Sequence, residues 1–253
     1  MRKYLLFQLY GPMASWGDVA VGDMRPTFGH PSKSAVLGLV AAALGIKRSN
    51  HKDQRALAES YFFAARLETP GVMLRDFHTA EVPSGKDLPA YVQTRREELS
   101  AVKVKDNPVV SRRDYRCDAR ATICIWSPGD EPQWSLSELA KELRTPSFLL
   151  YLGRKACPIS LPLNPQVAEA DTLRAAFQQM PMDVFTRPLF ENNPGDVRFY
   201  WEGEADEGFS DAQLLDELER RDQPVSRTSW HFARRKERMA SVPFDELTPE
   251  KSS

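Results

Sequence analysis

Cysteine and histidine are both scarce in this chain of 253 residues, which has three of the first and four of the second. Cys117, Cys124 and Cys157 are odd in number and show no CxxC spacing, so they suggest neither a disulfide framework nor a thiolate zinc site. No HExxH pair, no carboxylate cluster and no glycine loop of the GxxxxGK type is present. A metal-dependent nuclease or a nucleotide hydrolase therefore has no residues to stand on, and neither a metal nor a cofactor is expected. Long apolar runs are missing too, since none approaches the roughly 18 residues that a membrane-spanning helix needs. Met1-Arg2-Lys3-Tyr4 leads straight into a strand-like run without a small-residue cleavage site. A cytoplasmic protein with no membrane partner is the expectation.

Net charge is nearly absent, at -1. Taken alone this argues against nucleic acid, because phosphate binding leaves a basic footprint. The average hides a segregation: eight acidic residues and no basic one lie between Glu202 and Glu219, so the rest of the chain carries +7. A basic face is thus available, with the acidic stretch expected as an appendage held away from it or as a solvated loop. At 42% hydrophobic and 27% charged residues, the chain has the composition of a folded globular protein.

Lys3 to Tyr10 is a β-rich run ended by Gly11-Pro12, the punctuation of a strand entering a loop. Pro31 to Leu44 is apolar nearly all round, with Pro31 suited to a first helical position and Gly45 to the C′ position, and reads as a buried helix. His51 to Ser60 adds a short helix. Tyr61–Leu67 and Val72–Phe77, separated by Thr69-Pro70-Gly71, read as a hairpin. From 79 to 113 the chain is polar, Pro-containing and too long for a simple connection, so it reads as a protruding insertion. Tyr115 to Trp126 reads as one strand, Ser135-Leu136-Ser137-Glu138 as a capping box opening a helix, and Phe148 to Leu152 as a closing strand. Strand, helix, strand, strand, helix, strand is the ferredoxin-like order, used by RNA-binding modules and unrelated enzymes alike. The expected organisation is an α+β core over 1–78 and 114–155, an insertion over 79–113, and a smaller C-terminal appendage over 156–253.

Several strings follow one another in an informative order. Gly11-Pro12-Met13-Ala14-Ser15-Trp16-Gly17 is followed by Arg25-Pro26-Thr27 and by Pro31-Ser32-Lys33-Ser34-Ala35-Val36-Leu37-Gly38-Leu39. Then come Asp76-Phe77-His78-Thr79, Arg113-Asp114-Tyr115 with Asp118-Ala119, Tyr151-Leu152-Gly153-Arg154-Lys155-Ala156-Cys157-Pro158, and Arg221-Asp222-Gln223-Pro224 with Phe232-Ala233-Arg234-Arg235. Together they resemble the Cas five family of CRISPR-associated proteins, in its type I-E branch, over almost the whole chain. The resemblance implies a ferredoxin-like (RRM-like) βαββαβ core of the RAMP type with a projecting thumb. It also implies a non-catalytic subunit of the Cascade surveillance complex that binds the 5′ handle of the guide RNA. Its partners would be the guide RNA, the backbone subunit CasC and the large subunit CasA, with target DNA met indirectly.

The residues accord with that implication in three places. Ser32, Lys33 and Ser34 stand at a helix start, where unpaired N–H groups and the positive end of the dipole suit a phosphate; plain helix capping is the other reading of the two serines. Arg154 and Lys155 follow a strand and a glycine that permits close backbone approach, and RNA phosphate is their natural counter-ion. Arg95, Arg96, Lys103, Lys105, Arg112, Arg113 and Arg116 stand against Glu97, Glu98, Asp106 and Asp114, a net charge of +3 over 95–116. Trp16 and Tyr115 are candidates for base stacking, with a core plug as the other reading of Trp16. Arg25 and Thr27 are candidates for phosphate or base-edge contacts, while Arg234, Arg235 and Arg238 suit a neighbouring protein as well as RNA.

Two alternatives follow. Type I-C members of the same family cut precursor RNA without metal, and of the four histidines only His78 lies in a matched string, with Asp76 on the same strand face. Type I-E systems assign processing to another subunit, CasE, so His78 is the catalytic candidate only under this second reading. The third reading is a purely protein-binding cap.

Overall fold

The computed structural model describes residues 1–81, 83, 91–101, 108–129, 132–180, 195–203 and 207–247. In chain order the elements are β1 (Arg2–Tyr10), β2 (Met13–Ala14), β3 (Met24–Arg25), α1 (Lys33–Ala43), α2 (His51–Ser60), β4 (Phe62–Thr69), β5 (Val72–Ala80) and α3 (Arg95–Ser100). There follow β6 (Val109–Cys117), β7 (Arg120–Trp126), α4 (Leu136–Arg144), β8 (Gln166–Ala170), α5 (Leu173–Gln178), β9 (Val197–Trp201), β10 (Leu214–Ser226) and β11 (His231–Val242).

Seven strands form one sheet in the order β10-β11-β9-β4-β7-β1-β8, antiparallel at every pairing. β1 is a continuous apolar run because the sheet is covered on both faces. Leu5, Phe7 and Leu9 enter one core with Val36, Leu39, Val40 of α1 and Leu139, Leu143 of α4. Tyr4 and Leu6 point the other way, into a second core with Leu173 and Phe177 of α5, Trp201 and Phe209. The helices sit where their caps dictate. Ser32 caps α1 through its Oγ, Gly45 follows at φ 71, and Ser135 with Glu138 forms the expected capping box on α4.

Four expectations need correction. The Tyr61–Phe77 stretch is no hairpin: β4 pairs with β7 and β9, whereas β5 pairs with β6 in a second, smaller sheet with β2 and β3. The Tyr115–Trp126 strand is correspondingly two strands, broken at Asp118, which has φ 57. Opposite that break sits Gly71, at φ +63, where an added Cβ would lie 2.2 Å from the carbonyl oxygen of Cys117. The β5–β6 pair thus departs from the main sheet at this point, with β2 and β3 on the other edge of β6, and forms an arm that carries the described ends of the expected insertion.

The closing strand is the third correction. Phe148–Leu152 makes only a bridge, Tyr151 to Pro158, because the chain reverses at Gly153; β8 closes the order on the free edge of β1 instead. Finally, the described strands of the stretch expected as a smaller C-terminal appendage are continuous with the main sheet. β9 hydrogen-bonds to β4, so β9, β10 and β11 extend the same sheet, and α5 covers the face that the helices α1 and α4 leave open.

Gly153, at φ +84, is the tightest point of this arrangement, with an added Cβ only 1.7 Å from the carbonyl oxygen of Ser15. Gly153→Ala is expected to cost more than about 1 kcal/mol in urea denaturation, since both the conformation and the space exclude a side chain.

Candidate nucleic-acid interface

The start of α1 is already occupied from within the chain. The backbone N–H of Lys33 donates to Asp222 Oδ2 at 2.8 Å, and its Nζ lies 2.7 Å from Glu202 Oε1, with Lys33 only 3% exposed. Ser32 accepts from Ala35 N and donates to the carbonyl of Trp16, while Ser34 contacts the Ser32 hydroxyl at 3.2 Å. The place expected for a phosphate at Ser32, Lys33 and Ser34 is therefore taken by two carboxylates, Asp222 on the orphan N–H at the positive end of the helix and Glu202 on the Lys33 ammonium.

Asp222 belongs to a buried ionic cluster on the β10–β11 hairpin. Arg235 donates to Asp222 at 2.6 and 3.0 Å and also pairs with Glu237, which in turn meets Arg220 at 3.1 Å and His30 at 2.9 Å. The register sets Arg220 opposite Arg235, so the two acids are what allow two like charges to face each other. Burial pushes the Glu237 carboxyl up, but the His30 hydrogen bond and the Arg220 charge outweigh it and hold it well below the usual range. Burial pushes the His30 imidazole down, and its ring stacks on Tyr200 at 3.6 Å. Burial likewise drives the Lys33 ammonium down and the Glu202 carboxyl up, each partner's charge opposing the shift.

The acidic segment is thus not held apart. Glu202 pairs with Lys33, Glu207 with Arg2 at 2.7 Å, Glu217 with Lys236 at 2.7 Å, and Glu219 with Arg234 at 3.0 Å. Arg235, read as suited to a neighbouring protein or to RNA, is buried, and Arg238 pairs with Glu217 at 3.1 Å.

Both aromatic stacking candidates are core residues. Trp16 is 5% and Tyr115 4% exposed, and the Tyr115 ring lies under the Arg154 guanidinium at 4.7 Å. Arg154 also donates to the carbonyls of Asp114 and Arg25, at 3.0 and 2.8 Å, so it ties β6 and β3 to its own turn. Thr27 is buried, its Oγ1 accepting from Trp16 N at 2.8 Å, and it serves as a loop latch rather than a contact residue. Arg25 and Lys155 are exposed, and neither pairs with a carboxylate among the described residues.

On the arm, Arg95 and Arg96 open the exposed helix α3, and Arg112 reaches Asp23 at 3.5 Å. Arg113 donates to the Ser111 hydroxyl at 3.2 Å, while Lys103 and Lys105 lie outside the described residues. His78 contacts Asp76 on β5, as the strand period requires, and Arg113 stands across from Asp76 in the register.

Between the Trp16 loop, the first half of α1, the Leu149–Arg154 turn and the hairpin tip lies a groove of about 1080 Å³. Trp16, Ser34 and Arg154 line it, joined by Arg227 and Trp230, neither of which was singled out from the sequence. One signal was present: Gly38 interrupts a helix, and a mid-helix glycine marks a close approach. An added Cβ there would meet Arg227 Nη1 at 3.4 Å.

A family model described as CRISPR-associated protein (Cas_Cas5) matches residues 4–238. The CRISPR system Cascade subunit CasD of Escherichia coli (strain K12) is 34% identical over 171 residues, which make up 64% of this chain and 70% of the relative. A solved CRISPR RNA-guided surveillance complex contains a chain that superposes with TM-score 0.64 at 25% identity, over 98% of this chain and 95% of that one. A crystal structure of a Cas protein superposes with TM-score 0.60 at 25% identity, over 99% and 100%.

Two outcomes are expected of the cluster. Lys33→Ala should cost about 3 kcal/mol, because it strands Glu202 as a buried charge, whereas Lys33→Met with Glu202→Leu should recover most of it; chemical denaturation reads both. His30 has its folded value below its unfolded one, so its contribution is full above the ordinary histidine value of 6.5 and is lost as pH falls below it. The melting temperature should therefore drop between pH 7.5 and 5.5, and His30→Gln should flatten that dependence.

Proposed function

Since this chain belongs to the Cas5 family of CRISPR-associated proteins, we propose that it is the non-catalytic, RNA-binding member of a type I-E Cascade complex. In this reading it holds the 5′ handle of the guide RNA and caps one end of the backbone filament, beside CasC and CasA, in the cytoplasm. The observation that carries the reading is the 34% identity to a Cascade subunit across 171 residues. The order β8-β1-β7-β4, with α1 between β1 and β4 and α4 between β7 and β8, supports a ferredoxin-like core of the RAMP type. The arm of β5 and β6 takes the part of the thumb.

The fold favours some routes to RNA over others. Both sheet faces are covered, so bases stacked on an open sheet are not available as a mode of binding. Phosphates would instead be met by side chains on loops and on the arm: Arg25, Lys155, Arg95, Arg96, Arg112 and Arg113.

The Asp76–His78 contact on the arm is the specific observation that favours metal-independent cleavage of precursor RNA as a second reading. Repeat RNA incubated with the purified chain in EDTA separates the two. Intact RNA is expected; site-specific cutting that disappears in His78→Ala would replace the first reading with the second. Binding of handle RNA should weaken as salt rises, and Lys155→Glu with Arg25→Glu should weaken it further. Binding that ignores both salt and these substitutions would leave a protein-binding cap.

A further inference from the structure

Two side chains of the groove, Arg227 and Trp230, and Arg48 beside them have no part in the cluster or in the contacts assigned above. Arg227 lies across Gly38 with its Nη2 donating to the carbonyl of Ser34 at 2.6 Å. Its Nε is buried without a hydrogen-bond partner, and no carboxylate among the described residues pairs with it. Lys33, Arg66, Arg220 and Arg235, four other buried cations, each have a carboxylate. Burial pushes the Arg227 guanidinium down to about 10, and the charge of Arg48 adds to the shift.

Arg48 is fixed by backbone rather than by an acid. Its Nε and Nη2 donate to the carbonyls of Arg227 and Thr228 at 2.5 and 2.9 Å, and its guanidinium stacks on the Trp230 ring at 4.4 Å. Trp230 sits at the hairpin tip with φ 51, an uncommon conformation for so bulky a residue, and remains 60% exposed although Arg48 covers part of its ring and Phe232 lies 6.2 Å away. In the same groove the Trp16 indole N–H is buried with no acceptor.

A buried guanidinium with no acid beside it, facing the charge of a second one, costs desolvation energy that the free chain does not recover. An anion with several acceptor oxygens offsets that cost, and guanidinium forks match phosphate oxygens. An aromatic ring with an exposed surface beside such a site is the arrangement that receives an unpaired base. We infer that Arg48 and Arg227 hold a backbone phosphate of single-stranded RNA in this groove and that Trp230 stacks the adjoining base. The inference rests on the RNA-holding role proposed above and gives it a site distinct from the loops and the arm.

Fluorescence anisotropy of the full chain with labelled single-stranded repeat RNA, over a salt series, tests it. Arg227→Gln is expected to weaken binding about tenfold and to reduce the slope of log affinity against log salt by about 0.7, one phosphate contact on a single strand. Its melting temperature should hold or rise, because an unpaired buried charge is removed. Trp230→Ala should weaken binding about tenfold with the slope unchanged. If wild type binds RNA and both variants bind equally well with the same slope, the site is wrong while the RNA-holding role stands. A DNA strand of the same sequence is the second arm, and a loss confined to DNA would overturn the assignment to RNA. If wild type binds no RNA, inorganic pyrophosphate becomes the probe. A rise in melting temperature that wild type shows and Arg227→Gln lacks would keep the anion site and discard its RNA ligand; no rise would discard both.

Discussion

Arg235 holds the molecule together at the point where its distant parts meet. Its guanidinium joins Asp222 and Glu237 across the β10–β11 hairpin, and Asp222 reaches on to the first N–H of α1. A hairpin from the C-terminal third of the chain is in this way pinned to a helix from the first fifth. Pairs buried this deeply gain little net stability over an apolar contact, but removing one partner is costly. The cluster therefore fixes which parts of the fold touch, and hydrophobic burial supplies most of the stabilisation.

Much of the architecture was legible in local chemistry. Ser135 with Glu138, Gly45 behind α1 and the apolar run of β1 each act within a few residues, and each element lies where they indicate. What could not be read locally were choices of partner. Nothing near Gly71 says whether its turn closes a hairpin or bends a ribbon, because the answer depends on Cys117 and Ala119 opposite it. The Phe148–Leu152 run carries strand residues, yet β8 wins the edge of β1.

The candidate site divides along the same line. Lys33 stands at a helix start as its string implies, but the acid it meets is 169 positions away, at Glu202. Tyr115 and Arg154 were separate candidates and turn out to be one contact. The near-zero net charge looked like segregation in sequence and is largely pairing in space, since β10 brings its acids against the bases of β11. Charges left over after that pairing, such as Arg25, Lys155 and Arg227, are a better guide to a polyanion than any count along the chain.

The bend at Gly71 and Asp118 also acts as a fulcrum. Nine residues of β5 span about 30 Å, so a swing of about 10° at the bend would carry the tip of the arm through about 5 Å. The contact of Gly71 with the Cys117 carbonyl lies at the opposite end of β5 from α3 with its Arg95 and Arg96, yet it sets where they can reach. A methyl group added at that fulcrum would therefore act on the tip as a change of aim rather than a loss of charge.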